Sequence, residues 1–164
     1  MQQTSDVFRQ IIKLLEENKV EYDLIVHQPV YTSQDAARIR DTNIHQGAKA
    51  IIFTADQKPI LIVVPGDYRI DTKKFKKEYQ IRDLQMMKPE EIKELTGLEI
   101  GAIPPFGNVM GLPMYVDQEL LKNDWISFNA GAHTQSVKMK ARDFIHLAKP
   151  HATGNFNVPD SPTA

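Results

Sequence analysis

The sequence predicts a mixed α/β domain, and three observations carry that prediction. Two β-branched runs, KAIIFT (49–54) and ILIVVP (60–65), lie either side of the polar stretch ADQKP. Runs this continuous suit strands covered on both faces and paired through a hairpin. Three further strand-like segments, LPMYVD, WISFNAG and HTQSVKMK, follow between 112 and 140, punctuated by glycine. Amphipathic helical segments are interspersed among them, so a helical bundle is excluded and a mixed sheet with helices is expected.

Taken in order, Phe8, Ile11, Ile12, Leu14 and Leu15 recur at helical spacing, with Ser5 or Asp6 available as N-cap and Asn18 near the end. Tyr22 to His27 reads as a strand, and SQDAARIR, capped by Ser33 with Asp35 in its first turn, as a short helix. The two β-branched runs come next, closed by Pro65-Gly66-Asp67. Asp71 caps a helix DTKKFKKEY, and Lys88-Pro89-Glu90-Glu91 opens another that ends at Gly97. The last helix is ARDFIHLA, stopping before Pro150. Residues 1–150 are therefore expected to form one domain. The polar, proline-containing stretch 151–164 shows no periodicity and is expected to be a loose tail.

Composition removes several function classes. There is no cysteine, so disulfides and thiolate metal sites are excluded, and the scattered histidines show no metal-ligand spacing, so no metal site is expected. No G-x-G-x-x-G, P-loop, H-E-x-x-H or G-x-S-x-G motif is present, and no cofactor is expected. The start, MQQTSDVFRQ, lacks the apolar core of a secretory signal, and no apolar run is long enough to span a bilayer, which points to a soluble cytoplasmic protein. The net charge of −1 argues against a general nucleic-acid coat but permits a grip on one end of a nucleic acid by local charge, such as the cationic stretch from Arg69 to Arg82.

Three stretches are set up for a ligand, each with a plain structural alternative. Lys49 opens an otherwise apolar strand after Gly47-Ala48, where it either snorkels at a strand edge or reaches a partner. GAIPPFG (101–107) holds two glycines and two adjacent prolines without a charge. Such a loop is either a stiff connector or a pre-shaped wall with backbone amides aimed at a ligand. Phe128-Asn129-Ala130-Gly131-Ala132-His133 is a strand running into a glycine turn, with a histidine that is either surface decoration or part of a site.

The order of these stretches carries a resemblance. His27-Gln28-Pro29-Val30-Tyr31-Thr32-Ser33 comes first, then Gly47-Ala48-Lys49, then Val64-Pro65-Gly66-Asp67 with Arg69 and Asp71. Leu95-Thr96-Gly97, Gly101 through Gly107 and Asn129-Ala130-Gly131 complete it. From about residue 5 to 148 the chain resembles the YbaK/ProX family of aminoacyl-tRNA editing domains, which includes free-standing deacylases and the insertion domain of bacterial prolyl-tRNA synthetases. The resemblance implies a mixed sheet curled into a partial barrel with surrounding helices, and hydrolysis of the ester joining a wrong amino acid to the 3′ end of tRNA. It implies that Lys49 contacts the terminal nucleotide or the ester, and that the loop of Gly101, Ala102, Ile103, Pro104 and Pro105 lies at the scissile carbonyl with backbone amides facing it and the prolines stiffening it. The loop departs from the family's G-x-x-x-P by a doubled proline. His133 falls where some members carry a histidine implicated in activity and others do not. His27, Tyr31, Thr32, Phe106, Gly107, Asn129 and Gly131 complete the implied substrate-binding set.

The implied chemistry uses a water activated partly by the substrate's own ribose hydroxyl, with Arg69, Lys73, Lys138 and Lys140 as candidate contacts to phosphates near the CCA end. The chain carries no class II synthetase core and no anticodon-binding module, so a free-standing protein is expected. Its expected substrate is alanine or cysteine mischarged on tRNA for proline, with a synthetase such as prolyl-tRNA synthetase as a further partner. The alternative from another class is a non-catalytic module that grips a nucleotide, a tRNA end or a protein.

Overall fold

The computed structural model of the protein describes residues 5–159. Its elements run α1 (Asp6–Glu17), β1 (Tyr22–Val26), α2 (Ser33–Arg40), β2 (Ala48–Ala55), β3 (Lys58–Pro65), β4 (Tyr68–Ile70), α3 (Thr72–Glu78) and β5 (Leu84–Met86). They continue with α4 (Pro89–Thr96), α5 (Gly107–Met110), β6 (Met114–Asp117), β7 (Trp125–Asn129), β8 (Gln135–Lys140), α6 (Ala141–Ala148), β9 (Ala152–Gly154) and β10 (Asn157–Pro159). Every helix and strand expected from periodicity is present. The additional elements β4, β5, α5, β9 and β10 span three or four residues each, too few to show a repeat.

Local chemistry sets the helix ends. Ser5 Oγ accepts from Phe8 N at the start of α1 (3.0 Å), and Asp71 accepts from Lys74 N at the start of α3 (3.1 Å). Helix α2 is capped by Thr32 rather than Ser33: Thr32 Oγ1 accepts from Asp35 N at 3.0 Å. Gly97 ends α4 in the left-handed conformation, with Pro89 at its first position.

The β-branched runs form the centre of a five-stranded sheet in the order β5-β2-β3-β6-β9. β2 pairs antiparallel with β3 and β5, whereas β3–β6 and β6–β9 are parallel, so the sheet is mixed. Both faces of β3 are covered, as its continuous apolar run required. Leu61 and Val63 enter one core with α1 and α6, while Ile60, Ile62 and Val64 enter a second with Phe75 and Phe156. A separate antiparallel sheet, β1-β8-β7, places Phe128, Val137 and Met139 into the first core.

Two expectations change. Among the described residues the strands form three sheets and do not close into one curled sheet. The link is a single parallel bridge between Gly47, just before β2, and Ser127 of β7. The stretch from 151 is also not loose as far as 159. β9 extends the large sheet, β10 pairs with β4, and Phe156 between them is fully buried. Asp117, also fully buried, accepts from Phe156 N (2.8 Å) and Asn157 Nδ2 (3.0 Å). Two three-residue strands around one aromatic anchor leave no periodic signal, and their order comes from the sheet edge and the carboxylate they meet. Residues 160–164 of the expected tail lie outside the described residues.

Candidate active site

A cleft of about 400 Å³ opens where α2, the start of β2, the loop at 100–103 and the end of β7 meet. It brings together seven of the residues picked from sequence: Tyr31, Thr32, Lys49, Gly101, Ile103, Asn129 and His133. Lys49 lies at the open end of β2, opposite Val64, on the face of the strand that carries Ile51 and Phe53. Being at the strand's start, it extends past the second core and lines the cleft half-buried. The cleft is lined by the cations Lys49 and Arg40 and by no carboxylate among the described residues.

The loop GAIPPFG divides by function. Ala102, Pro104, Pro105, Phe106 and Gly107 are buried and do not line the cleft, so the expectation that they bind substrate directly gives way to a packing role. Phe106 stacks in the first core against Phe128 and Phe144, with ring centroids 5.5 Å apart in each pair. Ala102 has both backbone groups committed: its N–H donates to Glu99 O (3.1 Å) and its carbonyl accepts from Gly131 N (3.0 Å). Pro104 and Pro105 have no N–H. Of the five residues Gly101 to Pro105, this leaves Gly101 and the buried Ile103 with an N–H that has no partner among the described residues, and these two are the ones that line the cleft.

Gly101 has φ +86, and a Cβ there would sit 3.0 Å from His133 Nε2. Two side chains, Asn129 at the end of β7 and His133 from the β7–β8 connection, hold the neighbouring carbonyls. His133 Nε2–H donates to Ile100 O (2.9 Å), and Asn129 Nδ2 donates to Gly101 O (2.7 Å). The peptide bonds are trans throughout the described residues, so anchoring Ile100 O also sets the direction of Gly101 N–H, on the opposite side of the same plane. His133 Nε2 is thus engaged with backbone, and its ring stacks on the exposed Tyr31 at 4.8 Å.

Sequence reasoning missed Arg40. It ends α2, is only 8% exposed, and lines the cleft. Its Nε donates to Ser136 Oγ (2.9 Å), Nη1 to Ser127 Oγ (3.3 Å) and Nη2 to Asn129 Oδ1 (2.8 Å). No carboxylate pairs with it among the described residues, and burial pushes the guanidinium down to about 10, still charged at neutral pH. In sequence it is one of two arginines in an ordinary polar helix, and only the tertiary fold shows it facing inward.

The other picked residues stand outside the cleft. His27 is connected to it through Ser136: Ser136 Oγ lies 2.7 Å from His27 Nε2, and His27 Nδ1 lies 2.7 Å from Gln28 O. A carbonyl only accepts, so a hydrogen is on Nδ1. Gly131 is buried against Ser5 and Phe8 of α1. Arg69 and Lys73 are exposed on β4 and α3, away from the cleft lining. Lys138 and Lys140 reach over the Trp125 ring, at 5.9 and 5.7 Å from its centroid.

Residues 27–147 match the family described as the aminoacyl-tRNA editing domain. The chain is 29% identical over 155 residues to the Multifunctional Ser/Thr-tRNA deacylase ProXp-y of Escherichia coli (strain K12), covering 92% of this chain and 93% of that protein. It is 26% identical over 157 residues to the Prolyl-tRNA editing protein ProX of Acetoanaerobium sticklandii, covering 92% and 94%. A stretch of 98 residues, 58% of the chain, is 33% identical to part of the Proline--tRNA ligase of Solidesulfovibrio magneticus, covering 17% of that enzyme. In fold it superposes with a TM-score of 0.79 on a crystal structure described as a proposed trans-editing enzyme for prolyl-tRNA synthetase, over 94% of this chain and 99% of that one, at 23% identity. The match over residues 27–147 takes in both carbonyl anchors, the Gly101 loop and Lys49, and by it the chain belongs to the aminoacyl-tRNA editing domain family.

Proposed function

We propose that the protein is a free-standing aminoacyl-tRNA deacylase that hydrolyses the ester between a small, wrongly attached amino acid and the 3′ end of tRNA. The observation that carries this is the cleft wall, where Gly101 and Ile103 have N–H groups with no partner among the described residues, while Ala102 N–H is consumed and the two prolines have none. Donors in that position suit the negative charge that develops on a carbonyl oxygen when water attacks it. Water adds to the ester carbon, the oxyanion forms against the wall, and collapse expels the ribose oxygen, which takes up the proton. Lys49 supplies the positive charge at the ester or terminal nucleotide. His133, engaged through Nε2 with Ile100 O, acts as an anchor of the wall rather than as general base. An aminoacyl ester is already activated, so positioning with fixed donors is sufficient chemistry.

Strand alternation supports the direction in which tRNA leaves the cleft. Trp125, Ser127 and Asn129 pair with Lys140, Lys138 and Ser136, so all six share one face of the smaller sheet. Lys138 and Lys140 therefore lie on the sheet face whose other end carries Asn129 into the cleft, and they meet the phosphates next to the CCA end. Arg69 and Lys73 give weaker, peripheral contacts. Alanine or cysteine on tRNA for proline is the substrate expected from the family resemblance. The likeness to a Ser/Thr-tRNA deacylase along nearly its full length adds serine and threonine. A synthetase such as prolyl-tRNA synthetase is the proposed partner, supported by the likeness to proline–tRNA ligases.

The test is a panel of tRNAs carrying alanine, cysteine, serine or threonine, with release of free amino acid followed over time. Release of at least one at a rate well above spontaneous hydrolysis is expected. Binding of tRNA without release from any of them would make the protein a non-catalytic module.

A further inference from the structure

We infer that Arg40 is a positioning residue of the deacylation site, acting through the Asn129 amide on the Gly101 carbonyl. This rests on the deacylase reading above. Arginine at this depth is unusual unless it is paired, because removing its charge from water is costly. The usual partner is a carboxylate, yet here the partners are two hydroxyls and one amide oxygen, all neutral. Neutral acceptors recover less than an ion pair would, so the arrangement is not explained by stability.

Its geometry has one clear consequence. An asparagine amide can face either way, since its oxygen and nitrogen are nearly the same size. Guanidinium is donor-only, so Arg40 Nη2 at 2.8 Å selects Asn129 Oδ1 and turns Nδ2 to the other side. There Nδ2 meets Gly101 O at 2.7 Å. A flipped amide would set oxygen against oxygen at that contact and release the carbonyl. Arg40 on α2 therefore decides, through a residue of β7, whether the wall at Gly101 is clamped. Ser136 and Ser127 hold the guanidinium plane in place, a task one ammonium cannot copy with its single nitrogen. Loss of the clamp frees the peptide that carries the oxyanion-facing loop, and displacement of about 1 Å at such a position costs about a hundredfold in rate.

Two variants separate this role from simple support of the fold. Asn129→Asp keeps an acceptor for Arg40 and supplies the missing counter-charge, but loses the donor to Gly101. Arg40→Lys keeps the charge but loses the fork. Both are compared with wild type for single-turnover rate, KM for aminoacyl-tRNA and melting temperature, and Arg40→Lys also for hydrogen exchange of the Asn129 side-chain amide by NMR. The expected result for Asn129→Asp is an undiminished melting temperature with a rate about ten- to a hundredfold lower and KM little changed. For Arg40→Lys a similar rate loss is expected, with the Asn129 amide protons losing protection. A folded Asn129→Asp protein with the wild-type rate overturns the inference. So does an Arg40→Lys protein that changes KM alone, because Arg40 would then hold the substrate itself. A wild-type protein inert towards every ester removes the deacylase reading instead. In that case the Asn129 exchange still decides whether Arg40 orients the amide, and unchanged protection in Arg40→Lys overturns that too.

Discussion

Gly101 combines a left-handed backbone with a neighbour so close that a side chain has no room. Gly101→Val adds a branched Cβ at 3.0 Å from His133 Nε2 while forcing φ +86 on a β-branched residue, a strain of about 1–3 kcal/mol. Deacylation is expected to fall at least a hundredfold, more than the loss of stability explains, which melting and rate measurements on the same preparation check. If a folded Gly101→Val protein cleaves at the normal rate, GAIPPFG is a connector only. Pro104→Ala acts differently, because Pro104 is buried behind the wall and stiffens it without touching the cleft. A several-fold loss of rate is expected there, with a stability change within about 1 kcal/mol. Lys49 lies on the cleft side of β2, so Lys49→Ala is expected to abolish most deacylation and leave the thermal midpoint close to wild type. An active Lys49→Ala protein would remove the cation from the mechanism.

Between elements, the least obvious dependence is that of the large sheet on the segment from 151 to 159. Phe156 fills the second core against Phe75, at 5.0 Å between ring centroids, and Asp117 at the end of β6 ties down its backbone. Phe156→Ala is expected to destabilise the protein by about 3–5 kcal/mol, the usual cost of emptying a buried aromatic site. Asp117→Asn substitutes an NH2 group for an oxygen where Glu119 N, Phe156 N and Asn157 Nδ2 all donate, leaving one donor facing another. Urea unfolding of both variants checks this. A midpoint equal to wild type for either would mean that the C-terminal strands rest on the fold without supporting it. Neither Asp117 nor any residue of 151–159 lines the cleft, so residual activity per folded molecule is expected to stay near wild type in both.

For the molecule as a whole, a net charge of −1 means that attraction to tRNA comes from local cations alone. Affinity is expected to be weak and to fall with salt, with a log–log slope of about −0.7 to −0.9 for each phosphate neutralised. Lys138 and Lys140 share a sheet face with Asn129, and Lys140 also lies 3.7 Å from Glu21, which partly occupies it. The double variant Lys138→Ala with Lys140→Ala is expected to weaken binding and flatten that slope by about one to two units, with the rate at saturating tRNA unchanged. A salt slope identical to wild type would move the phosphate contacts elsewhere, with Arg69 and Lys73 the next to test.

What the sequence determined by itself was whatever repeats locally or is stated by residue type in order. The β-branched runs declared a doubly covered hairpin, the caps and Gly97 marked helix ends, and the spaced stretches around Lys49, Gly101 and Asn129 declared the family and part of the cleft lining. The tertiary structure alone decided three things. It turned Arg40 inward, because helix orientation depends on what α2 packs against and not on the polarity of SQDAARIR. It split GAIPPFG into a pair that lines the cleft and a remainder that does not, because which backbone groups are taken depends on partners such as Glu99 and Gly131, the second of them distant in sequence. It also ordered the segment after 150, because strands of three residues gain their stability from a neighbouring edge and one buried phenylalanine, and neither is written in local periodicity.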